Sequence, residues 1–276
     1  MPHKRKKLLI IGGGNMGYAI AKGILAKGLI SKAHIIFIEK KRDRFSLLRS
    51  SNLLVFKDLK NAFKIYKKEI DTIILAVKPV DIKDVVIKLK QFISNNTPII
   101  SIAAGIKIKT LSLLLSKNQP IIRVMPNTPA QIGKGISALM FNSNVTKKQR
   151  NTIKKIFNSI GKIVELKSED KFDIVTALSG SGPAYFCYLI ELLINSGVQL
   201  GLNKKISQEL VLETALGTIS LLKNSNLTPE NLRAAVTSPN GTTEAALKVF
   251  QKNNLNSTIY KAVKAAKNRA FELSQI

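Results

Sequence analysis

A chain of 276 residues, 45% of them hydrophobic, has enough apolar material for one large or two medium domains, so neither disulfides nor metals are needed to hold it together. Aromatics make up only 6% and Trp is absent, which describes an aliphatic core and excludes a disordered chain or a disulfide-stapled secreted domain. The net charge of +27, from 44 Lys and Arg against 17 Asp and Glu, raises the question of nucleic acid; the lysines are scattered, no basic stripe is interleaved with aromatics, and the excess reads as compositional drift toward Lys, Asn and Ile.

The start, Met1-Pro2-His3-Lys4-Arg5-Lys6-Lys7, is basic like a signal peptide, but Gly12-Gly13-Gly14 cuts the apolar stretch at 8–11 short, and that stretch reads as a strand. Further β-branched runs at 35–38, 73–77, 99–102 and 121–124 alternate with helix-length segments. Continuous apolar runs are what strands buried on both faces look like, so the expected fold class is α/β with an N-terminal Rossmann-type parallel sheet. Runs at 135–141 and 162–166 bracket a helix capped by Thr146, and they close a dinucleotide-binding domain expected over residues 1–166.

From 167 to 276 the periodicity is helical, with segments at 183–197, 207–223, 229–236, 244–250 and 258–273. These are rich in Ala, Leu and Ile on more than one face, more than five helices hide by themselves, so an all-helical dimerisation and substrate domain is expected. Uninterrupted apolar runs fall short of the roughly 18 residues that span a bilayer, and no membrane partner is expected. The lone Cys187, in the run Tyr185-Phe186-Cys187-Tyr188-Leu189-Ile190, reads as buried helix in a cytoplasmic protein.

Gly12-Gly13-Gly14-Asn15-Met16-Gly17 has the Gly-x-Gly-x-x-Gly spacing between a strand and a helix carrying Ala19, Ile20, Ile24 and Leu25. Glycines there permit a tight turn and let backbone amides approach a pyrophosphate at the helix N-terminus. The second strand ends at Glu39, about 20 residues on, and is followed by Lys40-Lys41-Arg42-Asp43-Arg44. A carboxylate at that tip bonds the ribose 2′-hydroxyl of NAD, whereas cations hold the 2′-phosphate of NADP, so the cofactor reads as NADP or NAD. Ala76-Val77-Lys78-Pro79, Ser101-Ile102-Ala103-Ala104-Gly105 and Met125-Pro126-Asn127-Thr128-Pro129-Ala130 follow three successive strands, and such small or Pro-rich turns on one edge describe a cofactor floor.

Ser179-Gly180-Ser181-Gly182-Pro183-Ala184 precedes a long helix, and its amides and hydroxyls either contact substrate, with Ser181 the candidate, or only cap the helix. Thr237-Ser238-Pro239-Asn240-Gly241-Thr242-Thr243-Glu244 leads into another helix, where free amides make a nest for a small carboxylate. His3 and His34 read as structural or exposed, Cys187 as core, and Lys78 as a binding or structural residue rather than a proton donor.

In order and spacing, these motifs make the chain similar to pyrroline-5-carboxylate reductase over nearly its whole length. The resemblance implies reduction of 1-pyrroline-5-carboxylate to L-proline by an NAD(P)H-dependent oxidoreductase, the last step of proline biosynthesis. It implies cofactor contacts at Gly12, Gly14, Asn15, Met16, Gly17, Glu39, Lys40, Asn61, Ala76, Val77, Lys78, Pro79, Ala103, Ala104 and Gly105. It also implies a substrate carboxylate on Gly241, Thr242 and Thr243, with Thr243 near the imine nitrogen, and a homodimer or higher homo-oligomer. Where the family commonly carries Gly-Gly this chain has Asn240-Gly241, and Asn tolerates the positive φ such a turn needs. Arg233 is followed by Ala234 where many members have Asp. A β-hydroxyacid-type dehydrogenase would need a Lys in the helix at 184–197, and there is none.

Overall fold

The computed structural model describes residues 6–274, so the reading of His3 and of the basic start through Arg5 lies outside the described residues. Eight strands make one sheet: β1 Lys7–Ile11, β2 Ile35–Ile38, β3 Leu54–Phe56, β4 Ile70–Leu75, β5 Ile99–Ser101, β6 Ile121–Met125, β7 Gly135–Phe141 and β8 Gly161–Glu165, in the order β3-β2-β1-β4-β5-β6-β7-β8. The pairings from β3 through β6 are all parallel. β7 runs antiparallel to β6, and β8 runs parallel to β7, so the sheet is mostly rather than wholly parallel. The edge strand β3 is not among the predicted elements, because three half-buried residues are too few to show a period.

Alternation along the strands fills two cores. Ile10, Phe37, Ile74, Ile100 and Ile122 face one side and pack with α1 (Asn15–Ala26), α2 (Arg42–Ser50) and α6 (Lys147–Asn158) through Ile24, Leu48 and Phe157. Leu9, Ile36, Ile73, Ile99 and Ile121 face the other and pack with α3 (Leu59–Tyr66), α4 (Ile82–Lys90) and α5 (Ile108–Leu114) through Phe63, Val86 and Leu111. Burying such a side chain contributes about 1.5–3 kcal/mol, which is why unbroken Ile and Leu runs settle as central strands. The expected cap holds at α6: Thr146 accepts from the Gln149 amide, and the Gln149 side chain accepts from the Thr146 amide.

The remaining helices are α7 Phe172–Val175, α8 Gly182–Gln199, α9 Lys204–Asn224, α10 Pro229–Ala235, α11 Thr242–Lys252 and α12 Leu255–Leu273. Two compact units divide the chain: residues up to Ser181 together with those from Ala266 on, and Gly182–Ala265. In the second unit α8 and α9 form a hairpin in which Ser207, buried on α9, donates to the Ile194 carbonyl at 2.8 Å.

Two expectations about this region are corrected. The segment from Ser179 does precede a long helix, α8 from Gly182, but Ser179 to Ser181 are not a free helix start with open amides. Thr176–Gly180 is a π turn joining α7 to α8, and the Ser181 amide donates to the Thr176 carbonyl at 2.8 Å. Hydroxyls of Thr176 and Ser179 bond back to the Phe172 and Val175 carbonyls, which loosens the α ladder there. The resulting run Glu169–Gln199 is, by length and composition, apolar enough to cross a bilayer, which uninterrupted apolar stretches alone did not reveal. Cys187 is exposed in the single chain rather than core, as are Phe186, Leu193, Leu216 and Ile219. α8 exposes Phe186, Leu189, Leu192 and Leu193 beside its one charged residue, Glu191, and packing within one helical unit covers only part of that apolar surface.

Candidate active site

The sheet changes winding direction between β1 and β4, and the crevice at the carboxyl ends of those strands is where such sheets take ligands. The glycine turn lies there. Gly12, at φ +106°, has so little room that a Cβ would lie 2.5 Å from the Ala76 carbonyl oxygen. A Cβ on Gly17 would lie 2.3 Å from the Gly12 oxygen and 3.3 Å from the Ala76 Cβ. These glycines thus press β1, α1 and the Ala76 turn together. Gly14 differs: it caps α1, and nothing lies within 4 Å of a Cβ built on it. No side chain caps α1 and no acid stands in its first turn, so the partly positive helix end suits an anionic pyrophosphate.

At the tip of β2 the buried Glu39 is engaged by the backbone. Its Oε2 accepts from the Gly13 amide at 2.7 Å, and its Oε1 accepts from the amides of Lys40 and Lys41 at 2.7 and 2.8 Å. A β2-tip carboxylate accordingly ties the turn to the strand as well as standing where a ribose is expected. Two participants at this corner have no role assigned from the sequence. Gly13 supplies the amide, and Arg44 on α2 donates to the Asn15 side chain at 2.6 Å. Arg44 was visible only as one cation among several in a basic stretch.

The other predicted turns lie along the same edge. The Ala76 amide donates to the Ile11 carbonyl at 2.8 Å, and the Ile102 amide to Leu75 at 3.1 Å, so the turns after β1, β4 and β5 adjoin. Val77 is half-buried and Lys78 exposed, with Pro79 opening a single 3-10 turn. Ala103 and Gly105 are buried, Gly105 at φ +78°. Beyond β6, Asn127 accepts from the Ile136 amide at 2.9 Å and holds the Met125 to Ala130 turn against β7. Asn61 stands at the start of α3, its side-chain amide donating to Asp58 at 2.8 Å. His34 bonds Ser31 ahead of β2, away from this edge.

In the helical unit, Asn240 has φ +59°, the left-handed conformation that asparagine tolerates better than most side chains. Gly241 then caps α11, and no side chain bonds its cap. Thr243 is half-buried and Thr242 exposed. Glu244 reaches back to the Asn240 amide at 3.0 Å and pairs with Lys248 at 3.0 Å. The Lys248 hydrogen bond first, then the Asn240 amide, hold the Glu244 carboxyl below the ordinary glutamate range. On α8, the Tyr185 hydroxyl is buried without a hydrogen-bond partner among the described residues, a feature of burial that no sequence pattern carries.

A family described as pyrroline-5-carboxylate reductase dimerisation matches residues 169–273, and one described as NADP oxidoreductase, coenzyme F420-dependent, matches residues 7–105. The chain is 37% identical over 265 residues to a pyrroline-5-carboxylate reductase of Pisum sativum, covering 96% of this chain and 94% of that one. It is 35% identical over 269 residues to one of Pseudomonas aeruginosa, covering 98% and 97%. Among solved structures it is similar to a pyrroline-5-carboxylate reductase from Coxiella burnetii, with a TM-score of 0.88 and 35% identity over 98% of each chain. It is also similar to a pyrroline carboxylate reductase of Plasmodium falciparum with NADP bound, with a TM-score of 0.86 and 33% identity over 98% of this chain and 99% of that one.

Proposed function

The chain belongs to the pyrroline-5-carboxylate reductase family, and on that premise we infer that it converts 1-pyrroline-5-carboxylate to L-proline, the last step of proline biosynthesis. NADPH, or NADH, supplies the hydride for reduction of the C=N bond. The observation that carries this reading is the glycine turn, where Gly12 and Gly17 leave no room for a Cβ while Gly14 opens the uncapped end of α1 to a pyrophosphate.

Within this reading, residues 1–166 form the dinucleotide-binding domain and 167–276 the dimerisation and substrate domain. Gly12, Gly14, Asn15, Met16 and Gly17 cradle the pyrophosphate. Glu39, Lys40 and Asn61 border the adenosine half, and the turns of Ala76 to Pro79 and Ala103 to Gly105 floor the nicotinamide half. Gly241, Thr242 and Thr243 hold the substrate carboxylate at the uncapped start of α11, with Ser181 as a further contact; the Thr243 hydroxyl lies near the imine nitrogen and orients the ring. The nitrogen takes its proton from solvent, so positioning rather than a strong acid carries the step. The family's dimerisation region makes the protein a homo-oligomer, and a homodimer or a larger assembly covers the open apolar faces of α8 and α9. The setting is cytoplasmic, with neither nucleic acid nor a membrane as partner.

The full chain tests this directly. Loss of the reduced-nicotinamide absorbance should follow addition of 1-pyrroline-5-carboxylate with NADPH or NADH, and 3-hydroxy acids with the oxidised cofactors should give none. A chain that turns over no pyrroline substrate, or that binds DNA tightly at physiological salt, contradicts the reading.

A further inference from the structure

Gly105 ends the Ala103-Ala104-Gly105 turn at φ +78°, and a Cβ built on it would lie 2.8 Å from the Leu273 carbonyl oxygen, 3.0 Å from the Leu273 carbonyl carbon and 3.3 Å from the Ser274 nitrogen. The last turn of α12 therefore meets the cofactor-floor turn backbone to backbone, with no side chain between them. That helix end is itself well closed. The Ser274 amide donates to the Ala270 and Phe271 carbonyls, and the Ser274 hydroxyl donates to Phe271 at 2.7 Å. Ala270 and Ser274 are buried, and the Lys107 ammonium stands 5.7 Å from the centre of the Phe271 ring. Although α12 starts at Leu255 in the helical unit, its residues from Ala266 on pack with the sheet unit.

We propose that the last turn of α12, residues 270–274, is a positioning element for the nicotinamide cofactor, holding Gly105 in the left-handed conformation that shapes the Ala103 to Gly105 turn. This rests on the assignment of that turn to the cofactor. An unconstrained glycine visits positive and negative φ about equally. Locking one such residue before the ligand arrives removes an ordering cost from binding that is worth roughly tenfold in affinity.

The test is a titration of NADPH and NADH into four proteins: the full chain, the chain ending at Ala270, and each of these carrying Gly105→Asn. Asn tolerates the left-handed conformation, so this variant adds a Cβ with little backbone strain. Shortening the chain should raise the cofactor Kd about tenfold while leaving oligomeric state unchanged and the KM for 1-pyrroline-5-carboxylate within about twofold. Gly105→Asn should raise Kd about tenfold in the full chain and add little in the shortened one, because the atoms it meets are gone. A merely structural end to α12 would lower the melting temperature and leave cofactor Kd alone, and equal Kd values for full and shortened chains overturn the proposal. Should the shortened chain not fold, Leu273→Pro unmakes only the final turn, and an unaltered Kd in that variant overturns it equally. If Gly105→Asn has no effect in the full chain, the turn's assignment to the cofactor falls and the proposal with it. If the unmodified chain binds neither nucleotide, the reading of its function is what fails.

Discussion

Gly13 donates its amide to Glu39 across the tips of the first two strands at 2.7 Å, and the same carboxylate takes the amides of Lys40 and Lys41. The residue that the proposed function assigns to discriminating between two nucleotides is thus also a strut of the glycine turn. Glu39→Ser should therefore show two effects at once. Preference should move toward NADPH as the negative charge leaves, and stability should fall, since the buried Gly13 amide left unpaired costs about 1–3 kcal/mol, whereas the amides of the exposed Lys40 and Lys41 can turn to water. Relative kcat/KM with the two cofactors and the midpoint of urea unfolding check this; an unaltered cofactor ratio would discard the selectivity role.

Gly14 and Gly17 separate binding from folding. Gly14→Ala adds a methyl group where nothing lies within 4 Å and where φ is −67°, so the melting temperature should hold while cofactor affinity drops. Gly17→Ala places a Cβ 2.3 Å from the Gly12 oxygen and should lower the melting temperature as well. Thermal unfolding beside a nucleotide titration distinguishes the two, and equal destabilisation by both variants would contradict the geometry.

Arg123, buried on β6, donates to Glu169 at 2.9 Å and lies 4.3 Å over the Phe172 ring; the same Glu169 oxygen accepts from the Ile108 amide at the start of α5. Removing one partner of a buried pair costs about 3–5 kcal/mol, and the 24% exposure of the Glu169 side chain brings the expected loss for Glu169→Ala to about 3 kcal/mol or less. Arg123→Met combined with Glu169→Gln keeps an acceptor for the Ile108 amide without an orphaned charge, and should cost less than Glu169→Ala alone. Chemical denaturation of the three proteins decides it.

Thr243→Ala should reduce kcat by about tenfold to a hundredfold, the range of a lost hydrogen bond near a charged group, while cofactor Kd stays unchanged. Steady-state rates paired with nucleotide titration provide the comparison. Unchanged turnover removes the role assigned to this hydroxyl.

The start of α11 has a pH signature. With its pKa lowered by Lys248 and the Asn240 amide, Glu244 contributes stability above the unfolded glutamate pKa of about 4.3, and that contribution disappears as pH falls through the lower folded value. Melting temperature followed from neutral pH into this acid range should fall less steeply for Glu244→Gln than for the parent. Identical slopes would mean that the pairing with Lys248 does not hold in solution.

Much of this was legible in residue order. Ile-rich runs such as 35–38 and 121–124 declare central strands, because burial on both faces demands continuous apolar side chains. Gly12 to Gly17 declares a tight glycine turn by its spacing together with the strand before it and the helix after it. Other features left no local trace. The three residues of β3 show no period, the π turn at Thr176–Gly180 depends on hydroxyls bonding back along the helix, and Cys187 reads as core because an apolar helix looks the same whether its own unit or another chain covers it.

The residue order by itself therefore determined the α/β class and the crevice-forming turns, since these depend on periodicity and spacing within short stretches, while the reaction family followed from the resemblance that those motifs carry. Tertiary structure decided which atoms those turns touch. Glu39 is filled by three amides, one of them 26 residues back along the chain, and Gly105 is met by the end of a helix far along it. Such contacts arise from strand order and helix docking, and no window of neighbouring residues encodes them.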